Sequence, residues 1–81
     1  MYHAYVLRSL KDGTYYYGSA DEVARRLKQH NAGKVRYTKG HRPYTVHYTE
    51  AFPTRAEAVR REKFFKSIAG YRWLRGKGII P

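Results

Sequence analysis

The feature that most constrains the fold is the stretch from residue 15 to residue 33, where a strand-like pattern passes directly into a helix-like one. Residues 15–17 are three consecutive tyrosines, a β-prone run that ends at Gly18. Beyond the glycine, apolar side chains recur at helical spacing, and Arg26 and His30 lie one turn apart at the edge of that apolar stripe. The pattern predicts a strand, a tight glycine and a helix whose polar edge lies beside the tyrosines.

A strand is predicted before this stretch, joined to it by a hairpin. Residues 2–10 are rich in strand formers, and Asp12-Gly13 is a strong signal for a two-residue turn. Such a turn would set Ser9 opposite Tyr16 and Leu7 opposite Gly18. The period of two then assigns the side chains to two faces, one with Tyr5, Ser9 and Tyr16 and the other with Tyr2, Ala4, Val6, Tyr15 and Tyr17.

Helix signals follow the hairpin. Ser19-Ala20-Asp21-Glu22 has the spacing of a capping box, with Ser19 as the N-cap. The helix that it opens is expected to end near Asn31, with Gly33 as its C-terminal cap. A basic loop over residues 34–43 then leads to a third predicted strand over residues 44–52.

The remainder of the chain predicts a second helical region. Thr54-Arg55-Ala56-Glu57 is another capping box, opening a helix to about Ala69 that Gly70 ends, and residues 71–74 add a short helical turn. A chain of 81 residues has room for one modest core. We therefore predict one α/β (α+β) domain over residues 1–76 and a loosely held tail over residues 77–81.

Charge indicates a polyanionic partner. The chain has 17 Lys and Arg against 6 Asp and Glu, a formal net charge of +11. From residue 34 onward, twelve basic and three acidic residues give a net charge of +9. Nucleic acid is the favoured partner, and an acidic membrane surface is a distant alternative because neither helix pairs a broad apolar face with a continuous basic one. The side chains expected to contact nucleic acid are Lys34, Arg36, Lys39, Arg42 and Lys66.

The composition also bears on disulfides, on metal sites and on the cellular location of the protein. Without cysteine the chain has no disulfide and no thiolate metal site. No apolar run approaches membrane-spanning length and the N-terminus lacks a signal-peptide pattern, so we expect a cytoplasmic protein.

One carboxylate stands apart from the others. The other five have a local explanation in a turn, at a helix N-terminus or at a strand end, and they are Asp12, Asp21, Glu22, Glu50 and Glu57. Glu62 instead falls inside the apolar stripe of the second predicted helix. Two interpretations stay open: an ion pair with Lys66 one turn later, or a site for a cation such as Mg²⁺, which keeps most of its waters.

The polar groups near the glycine also have two interpretations each. Arg26 is either a solvated helix residue or a fork of donors for a phosphate. His30 is either a core-edge histidine or a proton-transfer group. Tyr5 and Tyr16 are either packed cross-strand aromatics or bases, and a tyrosine becomes a base only if cations lower its pKa from about 10. The many cations of this chain favour such a lowering.

Taken in order, these residues resemble the GIY-YIG nuclease family over nearly the whole chain, most closely its small stand-alone branch. The matching positions are His3-Ala4-Tyr5, Tyr16-Tyr17-Gly18, Arg26, His30-Asn31-Ala32-Gly33, Thr38, Ala58 and Glu62. The resemblance implies a small three-stranded antiparallel sheet flanked by helices. It also implies one divalent cation, Mg²⁺ or Mn²⁺, serving a one-step hydrolysis.

The resemblance implies a role for each matching side chain. Glu62 would be the metal ligand and Arg26 would stabilise the pentacovalent phosphate. Tyr16 and Tyr5 would position or deprotonate the attacking water, and His30 would assist proton transfer or contact the phosphate. Gly18, Asn31 and Thr38 would be structural.

Four positions depart from the family pattern. His3, Ala4 and Tyr17 replace residues of the two triplets that are mostly structural. Ser19 stands where some relatives have a lysine, which leaves one cation fewer near the site.

Two functions follow from these observations. The favoured one is a metal-dependent endonuclease acting on DNA, of a repair or recombination type, with low sequence specificity or a recruiting protein because a chain of this length has no room for an added binding region. The alternative is a non-catalytic nucleic-acid-binding module of the same fold.

Overall fold

A computed structural model describes residues 1–81. The elements in chain order are β1 (Tyr2–Ser9), β2 (Tyr15–Ala20), α1 (Val23–Asn31), a 3₁₀ turn (Lys39–His41), β3 (Tyr44–Phe52), α2 (Arg55–Phe65) and α3 (Ile68–Gly76). The strands form one antiparallel sheet in the order β2-β1-β3, so β2 is an edge strand. The predicted fold class, a three-stranded antiparallel sheet flanked by helices, is confirmed.

The hairpin register differs from the prediction by two residues. Tyr5 lies opposite Gly18 and Leu7 opposite Tyr16, so a four-residue loop replaces the predicted two-residue turn. The Ser9 hydroxyl accepts hydrogen bonds from the backbone N–H groups of residues 11 and 12, which stabilises the longer loop. The assignment of side chains to faces is unaffected, since a shift of two residues preserves the alternation.

Helix α1 ends where predicted but begins later. Its N-cap is Glu22, without a side-chain cap, and Ser19 belongs to β2. The capping-box prediction for Ser19 is wrong because the Ser19 hydroxyl donates to the Glu62 carboxylate, 2.7 Å away. At the other end Gly33 has a φ of +78°, and the N–H of residue 34 bonds to the carbonyl of Gln29, the Schellman arrangement of a helix C-terminus.

The second helical region consists of two helices rather than one. The Thr54 cap is confirmed, since its side chain accepts from the Glu57 N–H. However, α2 ends at Phe65, and Ser67 then caps α3 by accepting from the N–H of Gly70. The prediction that Gly70 ends a single helix is therefore wrong: Gly70 lies inside α3, at a close approach to the end of α2.

A core cluster lies on each face of the sheet. Helices α2 and α3 cover one face over Ala4, Val6, Phe65, Leu74 and Ile80. Helix α1 covers the other over Tyr5, Leu7 and Tyr44, with Val23 and Leu27 packed against them. The tail differs from the prediction, because Ile80 is only 5% exposed and packs in the first cluster. None of the helices has the length and apolar character needed to cross a membrane.

Candidate active site

The position of Tyr5 depends on Gly18. The two residues are directly paired across β1 and β2, and the phenol of Tyr5 lies over the glycine. A Cβ at position 18 would stand 2.5 Å from Cζ of Tyr5 and closer still to its hydroxyl. Only glycine leaves space for the ring there, and the ring thereby extends toward the open edge of β2.

A buried hydrogen-bond chain holds the Tyr5 hydroxyl. It lies 3.2 Å from Nε2 of His30, and Nδ1 of His30 lies 2.8 Å from the Thr38 hydroxyl. The one hydroxyl proton of Thr38 is donated to the carbonyl of Val35. With the Thr38 proton used in this way, we assign His30 as the donor at Nδ1 and the acceptor at Nε2, which makes Tyr5 the donor to His30.

His30 is neutral at neutral pH. Its side chain has no exposed surface, and burial, with a smaller contribution from the Arg26 charge, lowers its pKa to about 4. The imidazole is fully buried, and its Nε2 is hydrogen-bonded to the Tyr5 hydroxyl. The expected alternative of a direct phosphate contact is thus not available to His30, whereas assistance through Tyr5 is.

Tyr5 is also protonated at neutral pH. Burial raises its pKa to about 12, even though the Arg26 guanidinium beside the hydroxyl lowers it. The expectation that the cations of this chain lower the pKa is wrong for Tyr5, because desolvation of the phenolate outweighs the attraction of a single guanidinium.

Arg26 and Tyr16 complete this side of the sheet. The Arg26 guanidinium donates to the side-chain amide oxygen of Gln29 at 2.8 Å, lies beside the Tyr5 hydroxyl and has no carboxylate partner. The Tyr16 ring packs against His30, with ring centroids 4.9 Å apart, and is half-buried. Both side chains lie beside Tyr5, on the face that α1 covers.

Glu62 approaches from the opposite face. Its partner Ser19 pairs with Ala4, which lies in the core under α2 and α3. One Glu62 oxygen accepts from Ser19 at 2.7 Å and the other from Lys66 at 2.7 Å. The predicted Lys66 ion pair is confirmed. It does not exclude a site, because the Glu62 side chain is 20% exposed and the Lys66 side chain is half-exposed.

The two sides meet at the open edge of β2. A groove of about 470 Å³, here called the tyrosine groove, runs along this edge and is lined by Tyr15, Tyr16, Tyr17, Tyr37 and Lys66. Consecutive β2 tyrosines point to opposite faces, so the groove spans both. After burial, the main cause, Glu62 is among the charges that raise the pKa of Tyr5. The carboxylate therefore lies within electrostatic range of the Tyr5 hydroxyl.

The remaining predicted residues divide into supports and surface cations. Asn31 forms two hydrogen bonds with the backbone of Tyr44, at 2.7 and 3.0 Å, and so ties the end of α1 to the start of β3. Thr38 holds the His30 ring through the hydrogen bond between its hydroxyl and Nδ1. Four exposed cations of the 34–43 loop form no ion pair, namely Lys34, Arg36, Lys39 and Arg42.

Tyr37 was not predicted as a site residue. This side chain is 72% exposed, lies on the basic loop and packs on Tyr16 with ring centroids 5.8 Å apart. Two signals were available: nine tyrosines are more than one small core needs, and Tyr37 stands between cations. The bond from Ser19 to Glu62 was also not predicted, since nothing in the local pattern connects residues 43 positions apart.

Comparison with known proteins agrees with this architecture. Residues 1–70 match the family model described as the GIY-YIG catalytic domain. The chain belongs to the GIY-YIG nuclease family. Among its relatives, a UPF0213 protein of Halobacterium salinarum is 44% identical over 70 residues, covering 85% of this chain and 90% of that protein. A UPF0213 protein of Bacillus licheniformis is 38% identical over 68 residues, covering 83% and 70% respectively.

A solved structure supports the same assignment. The solution NMR structure of the UPF0213 protein BH0048 from Bacillus halodurans is 36% identical to this chain, with a TM-score of 0.54. The match covers 100% of this chain and 89% of that protein. Similarity therefore extends through α3 and the tail, beyond the residues that the family model covers.

Only one side chain at this site is suited to a metal ion. GIY-YIG nucleases are generally dependent on a divalent metal, yet no group of three or more His, Cys, Asp or Glu side chains converges here. Mg²⁺ commonly takes one or two carboxylates together with waters and substrate phosphate. Glu62 fits that requirement as a partly exposed oxygen ligand at the groove.

Proposed function

We propose that the protein is an endonuclease that hydrolyses phosphodiester bonds in DNA and requires Mg²⁺ or Mn²⁺. The proposal is supported by Tyr5, Tyr16 and Arg26 on one side of β2 and by Glu62, which is hydrogen-bonded to Ser19 of the same strand, on the other. A guanidinium, two phenols and a carboxylate are the groups needed to bind a phosphate, orient water and hold a divalent cation.

Arg26 is assigned to the phosphate. Its guanidinium has no carboxylate partner, so a phosphate meets no anionic competitor for its donors. Negative charge increases on those oxygens as the water oxygen bonds to phosphorus and the bond to the leaving oxygen breaks. Donors already in place stabilise that charge without reorganising.

Tyr16 is assigned as the base and Tyr5 as the group that positions the water. Tyr5 is 2% exposed, and its raised pKa disfavours the phenolate that a base requires. Its hydroxyl is instead held by His30 and is suited to orienting a water molecule through its oxygen. Tyr16 lines the tyrosine groove, and its phenolate form would take the proton of the water.

Glu62 would hold the cation. A divalent ion bound there supplies charge stabilisation to the phosphate and the leaving oxygen. The chain itself contributes the hydroxyl of Ser19, which donates to one carboxylate oxygen and fixes its orientation. Lys66 neutralises the other oxygen and would have to move aside or share it.

The exposed cations favour low sequence specificity. Lysine and arginine on an irregular loop contact phosphates, which carry no base identity. A nuclease that reads the backbone is suited to repair or recombination substrates, or to delivery by a recruiting protein.

The proposal is tested by nicking assays on supercoiled, single-stranded and branched DNA, with Mg²⁺, Mn²⁺ or EDTA. Glu62→Gln keeps the shape of the side chain but removes the charge that a cation needs. Glu57→Gln in the same helix is the matched control. We expect metal-dependent cleavage by the wild type and Glu57→Gln, and none by Glu62→Gln. Equal cleavage by Glu62→Gln and the wild type would eliminate the mechanism.

The second candidate is a binding module without turnover. It is favoured by one observation, the neutralisation of Glu62 by Lys66 where a metal would otherwise bind. Tight binding that is unaffected by EDTA, with no cleavage of any substrate in the panel, would establish this alternative.

A further inference from the structure

The tyrosine groove is not explained by the hydrolytic groups alone. Those groups need one phosphate, whereas the groove offers about 470 Å³ lined by four aromatic rings and one ammonium group. A volume of this size is typical of sites that enclose a small organic group. We propose that the groove binds the base of an unpaired nucleotide, so that the protein selects single-stranded or locally unpaired nucleic acid.

The lining matches the chemistry of a nucleobase. Bases stack on aromatic side chains in proteins that bind single strands, with little dependence on sequence. The Tyr37 ring is 72% exposed and contacts the rings of Tyr16 and His41, with centroid distances of 5.8 and 6.3 Å. Lys66 adds the positive charge that a nucleotide phosphate requires.

Base pairing would prevent this contact. In a duplex both faces of each base are covered by neighbouring pairs, so no face is presented to a ring on the protein. Surrounding charge draws in any nucleic acid, since the basic loop that carries Tyr37 also carries four exposed cations without ion-pair partners. The groove would therefore distinguish unpaired from paired strands, whereas the cations of the loop would attract both.

The groove shares two residues with the candidate active site. Tyr16 packs on His30, and Lys66 is bonded to Glu62. A base in the groove would thus place its own phosphate, or the next one, beside Arg26 and Glu62. This placement rests on the proposed nuclease function, whereas selective binding of unpaired nucleotides does not.

Binding without metal tests the inference independently of cleavage. Fluorescence anisotropy in EDTA would compare labelled oligodeoxythymidylate, oligouridylate and a blunt duplex of equal length, using wild type, Tyr37→Ala, Tyr37→Phe and Tyr2→Ala. Tyr2 is the matched control, because it lies under Arg55 outside the groove. Tyr37 is largely exposed, so its removal leaves the core intact, and thermal unfolding checks this.

We expect the wild type to bind at least one single strand about tenfold more tightly than the duplex. Tyr37→Ala is expected to lose about tenfold in affinity for that strand with little change for the duplex, while Tyr37→Phe and Tyr2→Ala bind as the wild type does. The two single strands distinguish DNA from RNA. Equal affinity for strand and duplex, or an unaffected Tyr37→Ala, would overturn the inference even if the protein cleaves DNA. Selective binding without cleavage would support it and count against the nuclease proposal.

Discussion

At the scale of single residues, the candidate site depends on how closely Tyr5 approaches Gly18. Gly18→Ala places a methyl group where the phenol lies, so either the ring or the strand must move. We expect the free energy of unfolding to fall by about 1–3 kcal/mol and cleavage to fall further than stability alone explains. Urea denaturation and nicking assays measure the two effects.

Gly40→Ala provides the comparison for this substitution. No atom lies within 4 Å of a Cβ at position 40, and the residue is exposed. The free energy of unfolding of this variant should differ from that of the wild type by less than about 0.5 kcal/mol. If Gly18→Ala proved as harmless as Gly40→Ala, the proposed packing of Tyr5 over the strand would be wrong.

The buried His30 predicts a particular dependence of stability on pH. Its pKa is about 4 in the folded state against an ordinary value of 6.5, so between these values the unfolded chain binds more protons than the folded one. This contribution to stability is complete above pH 6.5 and is lost as the pH falls toward 4. We expect the free energy of unfolding to decrease by up to about 1.4 kcal/mol per pH unit in that window.

His30→Gln isolates the effect from other titrating groups. Glutamine retains a donor and an acceptor but does not titrate. The slope of unfolding free energy against pH should therefore be shallower in the variant between pH 4 and 6.5. An identical slope in both proteins would show that His30 is not held neutral by the fold.

The sequence singled out the residues of the candidate site, but it did not predict their protonation states. Arg26 and His30 were singled out by their spacing, and Glu62 by its place in an apolar stripe. Counting cations nevertheless predicted a lowered pKa for Tyr5, whereas the structure raises it. A pKa depends on desolvation, which is set by packing between residues distant in sequence.

At the scale of elements, the junction between α2 and α3 is closely packed at Gly70. A Cβ on Gly70 would stand 2.5 Å from the carbonyl carbon of Phe64, a backbone atom that cannot rotate away. We expect Gly70→Ala to destabilise the protein by about 3 kcal/mol or more, despite the higher helix propensity of alanine.

Gly76→Ala serves as the control in the same helix. No atom lies within 4 Å of the place that a methyl carbon at position 76 would take, so helix propensity alone should act and stability should be unchanged or slightly higher. Thermal denaturation followed by circular dichroism compares the two variants. Equal melting temperatures would contradict the close packing of α2 against α3.

Element types could be predicted from the sequence more reliably than element boundaries. The three strands and the α1 C-terminus follow from local patterns that the structure confirms. The predicted Ser19 cap is wrong because the hydroxyl of Ser19 donates to a distant carboxylate. The prediction of a single second helix is wrong because Gly70 allows a close packing contact and does not end a helix. A local sequence signal predicts a helix boundary wrongly where a residue distant in sequence forms the hydrogen bond or the packing contact instead.

At the scale of the whole molecule, a net charge of +11 predicts binding that depends steeply on salt. The four free cations of the basic loop, with Arg26 and Lys66, would neutralise about six phosphates, and their contacts release counterions. Affinity for DNA should then fall by about a thousandfold between 50 and 200 mM salt.

Substituting one loop cation refines this measurement. Arg36→Gln removes an exposed charge that has no ion-pair partner. The slope of log affinity against log salt concentration should decrease by about one. A slope near zero in the wild type would contradict phosphate-driven binding.

We propose that groups from opposite faces of the sheet act as one hydrolytic site at the edge of β2. Residues that act as a unit have non-additive effects, because losing one disables the others. The most direct measurement is the rate of DNA nicking by the wild type, Arg26→Gln, Glu62→Gln and the double variant. We predict severe loss in each single variant and no further loss in the double. Wild-type rates in a single variant, or losses that multiply in the double, would contradict a single shared site.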